Sequence, residues 1–365
     1  MDHPLRPVSF SDLPGWHSDD PSILFGALER CREHVSSIKP YKTGSLGISV
    51  ADLMPVYEAA AKFAPRGPSA CRAFFEDHFR PFRIDTDGFV TGFYEPEVPV
   101  NETPDDTFRF PFYRRPSDLI DIDASNRPPE VDETIFFGRW KNGRIGEYPD
   151  RRAIDEGYLN GKGLEIAYAQ SKADVFFAHV QGAARLVYPD GRMKRITYSA
   201  KSGHAFSAIG KLLIDRGEID RETVSMGSIR RWLAEHPDQA DEVFWHNRSY
   251  IFFREEADGD PLLGPVAAAK VQLVPGRSLA VDKTIHTFGM PFFVHSQTLT
   301  RLDGGRPFGR LMLSLDTGSA ILGPARCDIF TGSGSAAGDA AGGIRNAATM
   351  YILIPKAAAA RYADG

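Results

Sequence analysis

The chain has 365 residues, 42% hydrophobic and 25% charged, which is enough for two domains with real cores. A net charge of -5 without a long Lys/Arg run excludes a nucleic-acid backbone stripe, and no apolar run of about 18 residues is present to cross a membrane as a helix. Cys31, Cys71 and Cys327 form no CxxC pair, so neither a zinc site nor a disulfide framework is indicated, and Cys327 reads as a small buried filler. The N-terminus MDHPLRPVSFSDLPGW has no basic start followed by an apolar core, so it is not read as a secretory signal, and it shows no lipid-attachment cysteine.

Residues 20–37 are expected to form a helix, with Asp20 as N-cap, Pro21 at the first position and Ile23, Leu24, Ala27, Leu28 and Cys31 on one face. Two more helices follow at about 51–64 and 68–79. At Phe82 the period changes. FRIDTDGFVTGFYEPEV contains an Asp87-Gly88 turn signal followed by alternating Phe89, Thr91 and Phe93, and reads as a hairpin. Thr91, Gly92 and Tyr94 fall at the strand end, where an aromatic and a hydroxyl suit a sugar groove; Phe93 reads as core, and Tyr94 fits either role. Glu95 and Glu97, at a strand exit interleaved with Pro, read as solvated surface.

Residues 99–147 read as loops and short strands. They are followed by a short helix at 150–156 and strands near 163–168 and 174–181. In the last of these, Phe177, His179 and Gln181 share one face. RLVYPDGRMKRITY reads as a hairpin about Pro189-Asp190-Gly191, and the series of short strands argues for a small antiparallel barrel. Ser202-Gly203 is expected to start a helix closed by Arg216-Gly217, leaving Lys201, Ser202 and His204 at an N-terminus that favours anions; a capped helix with a solvated lysine is the plainer alternative. Helices at 227–235 and 237–245 come next. The chain then returns to strands in YIFF, GPVAAAKVQLVPG and SLAVD.

The chemistry concentrates in Arg310 to Gly334, RLMLSLDTGSAILGPARCDIFTGSG. A buried-strand run ends on Asp316-Thr317-Gly318, and Asp328 follows between Cys327 and Ile329-Phe330. Carboxyls among apolar residues and glycines are pushed towards the neutral acid, as a proton donor near neutral pH requires. Gly318 and Gly332 leave room for a ligand or a close backbone, and two such acids can meet across neighbouring strands. Asp before Gly also shapes ordinary turns. Asp-Thr-Gly-Ser is in addition the signature of aspartic peptidases, which need two acids sharing one proton. Only one copy occurs here, since Asp190-Gly191 and Asp303-Gly304-Gly305 lack the Thr. No GxSxG, HExxH, P-loop or correctly spaced GxGxxG is present.

The segment resembles the C-terminal three-aspartate domain of the membrane-bound lytic murein transglycosylase A family, with Asp282 in SLAVD, Asp316 in LDTGSAI and Asp328 in RCDIFTGSG as its acids. Family-like blocks recur in order at TGFYEPEV (91–98), HVQGAARL (179–186), YSAKSGHAFSAIGKLLIDRGEI (198–219) and NRSYIFF (247–253). The resemblance implies a mainly β fold with peripheral helices. It consists of a six-stranded double-psi β-barrel domain from 1–98 and 259–365, with the three-aspartate region at about 275–355, a smaller β-barrel inserted at 99–258, and a groove between them. It implies a lytic transglycosylase that cleaves the bond between N-acetylmuramic acid and N-acetylglucosamine with a 1,6-anhydromuramyl product. Asp328 is then the single acid/base, Asp316 orients substrate or tunes Asp328, and Asp282 is a structural acid. Thr91, Gly92, Tyr94, Gln181, Lys201, Ser202, His204, Gly318 and Gly332 are the substrate-binding candidates, with a lactyl carboxylate or peptide stem at Lys201 to His204. No cofactor or metal is implied. The partners implied are peptidoglycan glycan strands and other cell-wall enzymes, in the periplasm of the bacterial envelope and associated with the outer membrane. The chain departs from the typical exported lipoprotein at its N-terminus; a removed leader and another route to the substrate both fit. An inverting glycoside hydrolase on the same barrel, with Asp316 as base, and a non-catalytic glycan-binding module are the rival readings.

Overall fold

The computed structural model describes residues 5–64, 66–257 and 259–362. They divide into two compact units, Met1–Tyr94 with Gly259–Gly365, and Glu95–Asp258.

The first unit contains β1 (Leu5–Pro7), β2 (Phe79–Ile84), β3 (Gly88–Glu95), β4 (Ser278–Val281), β5 (Pro291–Ser296), β6 (Phe308–Asp316), β7 (Arg326–Ser333) and β8 (Arg345–Pro355). Six of these close on themselves in the order β8-β5-β6-β4-β7-β3, because β3 also pairs with β8. Closure removes the exposed edges that an open sheet would present. The β4–β6 pair is parallel, whereas β4–β7, β5–β6, β5–β8 and β3–β8 are antiparallel. β8 has three partners: residues 345–348 pair with β3, residues 351–355 pair with β2, and its middle pairs with β5. This is the six-stranded barrel of the expected mainly β fold.

Leu311, Met312, Leu313 and Leu315 are all fully buried, so β6 is apolar on both faces, as a strand covered inside and outside must be. Its cover includes α1 (Leu24–Ser37), α2 (Val50–Lys62) and α3 (Pro68–His78). α1 buries Leu24, Ala27, Leu28, Cys31 and Val35 at helical spacing. α2 begins at a capping box between Ser49 and Asp52, and α3 has Pro68 at its first position.

Two expectations for this unit are corrected. α1 starts at Leu24, because Asp20 accepts the Ser22 N–H in a turn before the helix. Phe82 onward is not a hairpin: β2 pairs with β1 and β8, while β3 pairs with β8 and β7. A third correction concerns GPVAAAKVQLVPG, which forms a loop with a single bridge, Val266 to Gln272, rather than a strand. In that loop Lys270 takes a φ of 63°, and the Ala269 N–H bonds to Leu315 O of β6.

The second unit has a six-stranded sheet in the order Ile251–Glu255, Met193–Lys201, Ala183–Val187, Glu97–Asn101, Glu165–Ala169, Phe110–Tyr113. A bridge from Arg114 to Phe253 joins its two outer strands, so this sheet also curls towards closure. The hairpin about Asp190-Gly191 forms as expected, with Gly191 at φ 83°. Leu119–Asp121, Phe137–Lys141 and Arg144–Gly146 make a separate three-stranded sheet.

The segment expected as a strand at 174–181 is instead a helix, Lys172–Gln181, capped by the Ser171 hydroxyl and stopped by Gly182 at φ 77°. Val175 to His179 are buried without a break, because the helix lies between the sheet core and a helical cluster of Leu213, Trp232, Val243 and Phe244. The helix expected from Ser202 begins only at Ile209. Ser202 and Tyr250 extend the strand pairing instead: the Ser202 N–H donates to Tyr250 O, and the Tyr250 N–H donates to the Ser202 hydroxyl.

Candidate active site

Strand β7 alternates, with Cys327 and Ile329 buried in the core while Arg326 and Asp328 share the half-buried opposite face. On the neighbouring strand β3 the same period places Phe89 and Thr91 together. The Thr91 hydroxyl donates to Oδ1 of Asp328 at 2.6 Å and accepts from Nη2 of Arg326 at 2.7 Å. Among the described residues, Oδ2 of Asp328 has no hydrogen-bond partner.

Asp316 closes β6, and its Oδ1 accepts the Ala268 N–H at 3.2 Å. Asp316 and Asp328 are both in register with Ala280 of β4, one on each side. They therefore point to one face but are separated by a strand, contrary to the expected contact across neighbouring strands. Two interstrand spacings put their Cα atoms about 9.6 Å apart in the hydrogen-bonding direction. Two acids sharing one proton, as in aspartic peptidases, do not fit that spacing.

Both carboxyls keep some contact with solvent, yet each is densely surrounded by protein on its other sides. Burial pushes Asp328 up to about 6 against the opposing hydrogen bond from Thr91 and the positive charge of Arg326. Burial also pushes Asp316 up to about 6; the charge of Asp328 adds to the rise, while the N–H groups of Thr317 and Ala268 and the charge of Lys270 oppose it. The neighbouring Cys327 thiol is pushed up to about 12 by burial, which makes it inert as a nucleophile near neutrality.

Asp282, just past β4, accepts the N–H and hydroxyl of Thr284 on Oδ1 and the Gly323 N–H on Oδ2. These bonds outweigh burial and lower its pKa. Asp282 thus stays ionised and ties the loop between the other two acids to the barrel.

The remaining candidates separate by environment. A Cβ on Gly92 would lie 2.8 Å from Ala341 Cα and Ile344 Cδ1, so this glycine serves close packing. Tyr94 is buried against Gly338. Gly332 is buried at φ 124°, a conformation open to glycine. Gly318 is half-buried in a turn closed by the Ile321 N–H. Gln181, Lys201, Ser202 and His204 belong to the other unit. Gln181 ends the 172–181 helix, and Lys201 ends the 193–201 strand. Ser202 is buried on Tyr250, and His204 is buried between Tyr148 O at 2.7 Å and the Glu147 carboxylate at 3.2 Å. The anion site expected at Lys201 to His204 does not form as a helix terminus, because the helix begins seven residues beyond Ser202.

Glu95 is likewise corrected from solvated surface. It is fully buried and holds Arg185 at 2.9 Å and Arg195 at 2.6 Å; Glu97 is exposed. Arg326 is a site residue that the sequence pattern did not single out. Its signal was its i−2 spacing from Asp328 on an alternating strand.

The family model for the MltA specific insert domain matches residues 89–254, and that for the 3D domain matches residues 277–354. The membrane-bound lytic murein transglycosylase A of Escherichia coli (strain K12) is 31% identical over 309 residues, spanning 82% of this chain and 75% of that protein. A crystal structure of a membrane-bound lytic murein transglycosylase from Agrobacterium tumefaciens is 60% identical with a TM-score of 0.95, covering 98% of this chain and 99% of that one. The crystal structure of E. coli MltA with bound chitohexaose is 25% identical with a TM-score of 0.67, covering 97% and 92%.

Proposed function

The chain belongs to the membrane-bound lytic murein transglycosylase A family, and on that premise we propose that it cleaves peptidoglycan between N-acetylmuramic acid and N-acetylglucosamine with Asp328 as its acid/base. The observation that carries the residue assignment is the state of Asp328. It sits on a barrel strand with a raised pKa, Thr91 on one oxygen and the other oxygen unengaged among the described residues. Such a carboxyl is protonated in slightly acidic solution and has one oxygen available to a substrate.

In the proposed reaction the Asp328 proton passes to the glycosidic oxygen, and the bond from that oxygen to the muramyl C1 breaks. An oxocarbenium-like state forms at C1. The Asp328 carboxylate then takes the proton of the C6 hydroxyl as O6 bonds to C1, giving the 1,6-anhydro sugar. No water is consumed, so one carboxyl completes the cycle. Asp316, whose proton affinity the charge of Asp328 raises, is the neighbour that orients substrate or tunes Asp328, and Asp282 holds the intervening loop. Gly318, Lys201 and Gln181 are the remaining candidates for substrate contact. The bound chitohexaose of the E. coli relative supports a β-1,4-linked glycan as ligand. The name of the relatives supports the bacterial envelope as the site of action, although no helix among the described residues is long and apolar enough to cross a membrane.

The spacing of Asp316 and Asp328 favours one second reading. The two acids flank Ala280 on one face with a strand between them, an arrangement that accommodates inverting hydrolases, in which a water fits between carboxyls roughly 6.5–9.5 Å apart. Mass spectrometry of products from purified murein sacculi separates the two. Anhydro-muropeptides that vanish with Asp328→Asn support the transglycosylase mechanism; reducing ends would assign hydrolysis with Asp316 as base. Binding without cleavage would reduce the protein to a glycan-binding module.

A further inference from the structure

We infer that Arg326 is a positioning residue, which favours the Thr91 hydroxyl as donor to Asp328 and so keeps the acid proton of Asp328 on the oxygen away from Thr91. The inference rests on the assignment of Asp328 proposed above.

A threonine hydroxyl has one proton to give and two lone pairs to receive, whereas an arginine guanidinium can only donate. Nη2 of Arg326 lies 2.7 Å from the Thr91 oxygen, so Thr91 must accept from it. The single Thr91 proton is thereby directed to Oδ1 of Asp328, 2.6 Å away. The chain of donors runs from Arg326 to Thr91 to Asp328; the reverse, with Asp328 donating into the second Thr91 lone pair, would leave the Thr91 proton without an acceptor among the described residues. Without the guanidinium, protonated Asp328 could donate to Thr91, and the proton needed at the glycosidic oxygen would face the wrong way. With it, Oδ1 is favoured as the acceptor and the acid proton as the occupant of Oδ2.

The guanidinium is itself held on two further sides. Its Nη1 donates to the carbonyl of Cys327, and its Cζ lies 5.5 Å from the centroid of the Phe89 ring. Phe89, Thr91, Arg326 and Asp328 thus form a patch on two adjacent strands, in which two side chains aim the other two. Such anchoring matters because the hydrogen bond is directional and Arg has many rotamers to lose.

The other titratable and charged groups around this patch come from every side. They are Asp316 at the end of β6, Cys327 on β7, Asp282 past β4, Lys270 in the 264–276 loop, Arg345 on β8 in register with Thr91, and Asp339 on the helix Ser335–Gly342. Of these and Arg326, only Arg326 touches Thr91 by a side-chain hydrogen bond.

The test is a kinetic cycle on soluble glycan strands released from sacculi, with Arg326→Met, Thr91→Val, the double variant, Thr91→Ser and Asp328→Asn. The expected result for Arg326→Met is a fall in kcat of about tenfold to a hundredfold with little change in KM. Its alkaline limb in the pH profile moves upward, since a cation that favours the carboxylate is gone. The double variant is no slower than Thr91→Val alone, and Thr91→Ser retains most of the rate. Wild-type kcat and pH limb in Arg326→Met, or losses that multiply in the double variant, would overturn the inference. Melting curves check folding; should Arg326→Met not fold, Arg326→Leu, which likewise has no donor or charge, gives the same readouts. An inactive Asp328→Asn beside a normal Arg326→Met removes this inference alone. An active Asp328→Asn removes the acid/base assignment and this inference with it.

Discussion

Replacing Asp328 by Asn should stabilise the folded protein in neutral solution while abolishing catalysis. Burial raises the Asp328 carboxyl from the ordinary 3.8 to about 6. A tenfold change in proton affinity corresponds to about 1.36 kcal/mol, so the ionised carboxylate costs up to about 3 kcal/mol of folding stability. The sign follows from linkage. Between pH 3.8 and about 6 the folded state binds the proton more tightly than the unfolded state, so stability falls as pH rises through that window and then levels off. Asn has the same shape, never ionises, and its carbonyl oxygen can accept the Thr91 hydroxyl. Relative to wild type, Asp328→Asn should therefore gain up to about 3 kcal/mol at pH 8 and almost nothing at pH 3.5; the figure is a ceiling because the carboxyl keeps some water. For a unit of this size the gain corresponds to a rise in Tm of about 6–12 °C at most. Thermal or urea melts of both proteins at the two pH values measure it. The same difference at both pH values, or a loss at pH 8, would refute the argument that burial raises this carboxyl.

Asp316→Asn should behave alike, but the double variant should gain less than the sum, because part of the rise at Asp316 comes from the charge of Asp328; urea melts of the three variants at pH 8 check this. The rate should fall above about pH 6 as the acid loses its proton, with a limb that belongs to the coupled pair; a flat kcat/KM profile from pH 5 to 8 would contradict it. Glu95→Gln takes the buried carboxylate from between Arg185 and Arg195, which keep Glu97 and Glu256 within 3.6 and 3.8 Å, and should cost the second unit about 1–3 kcal/mol; limited proteolysis within 95–258 and urea melts read the loss. Gly332→Ala forces a side chain onto a backbone at φ 124° and should destabilise the barrel by about 1–3 kcal/mol, visible as a lower Tm at every pH.

Much of the barrel was legible because its strands carry their own signals. The run Leu311 to Leu315 is apolar throughout, and β7 alternates around Asp328. What failed is instructive. Val175 to His179 are buried on every side, so the segment has neither a two-residue nor a helical period; only its caps, Ser171 and Gly182, mark it as a helix. Ser202 looks like an N-cap in isolation, but pairing with Tyr250 uses its hydroxyl and backbone before a helix can. Asp87-Gly88 is a sound turn signal, yet the strands on either side of it take partners far along the chain. Pairing is a tertiary decision that a local pattern does not encode. The chemistry of Asp316 and Asp328 was readable from their apolar flanks, whereas the strand between them was not, since Ala280 lies dozens of residues away. Glu95 was misjudged for the same reason: its arginines arrive from a hairpin about 90 and 100 residues later.

The three partners of β8 have a consequence for the order of events during synthesis. Strands β2 and β3 leave the ribosome long before residues 345–355, which pair with both. At roughly 5–20 residues per second, the 250 or so residues between the end of β3 and the start of β8 take about 12–50 s to make. Throughout that interval the ring of six strands cannot be closed, whereas the second unit, contiguous from Glu95 to Asp258, has all its strands well before the interval ends. The inserted unit can thus mature on the nascent chain before its host can close the ring of six strands.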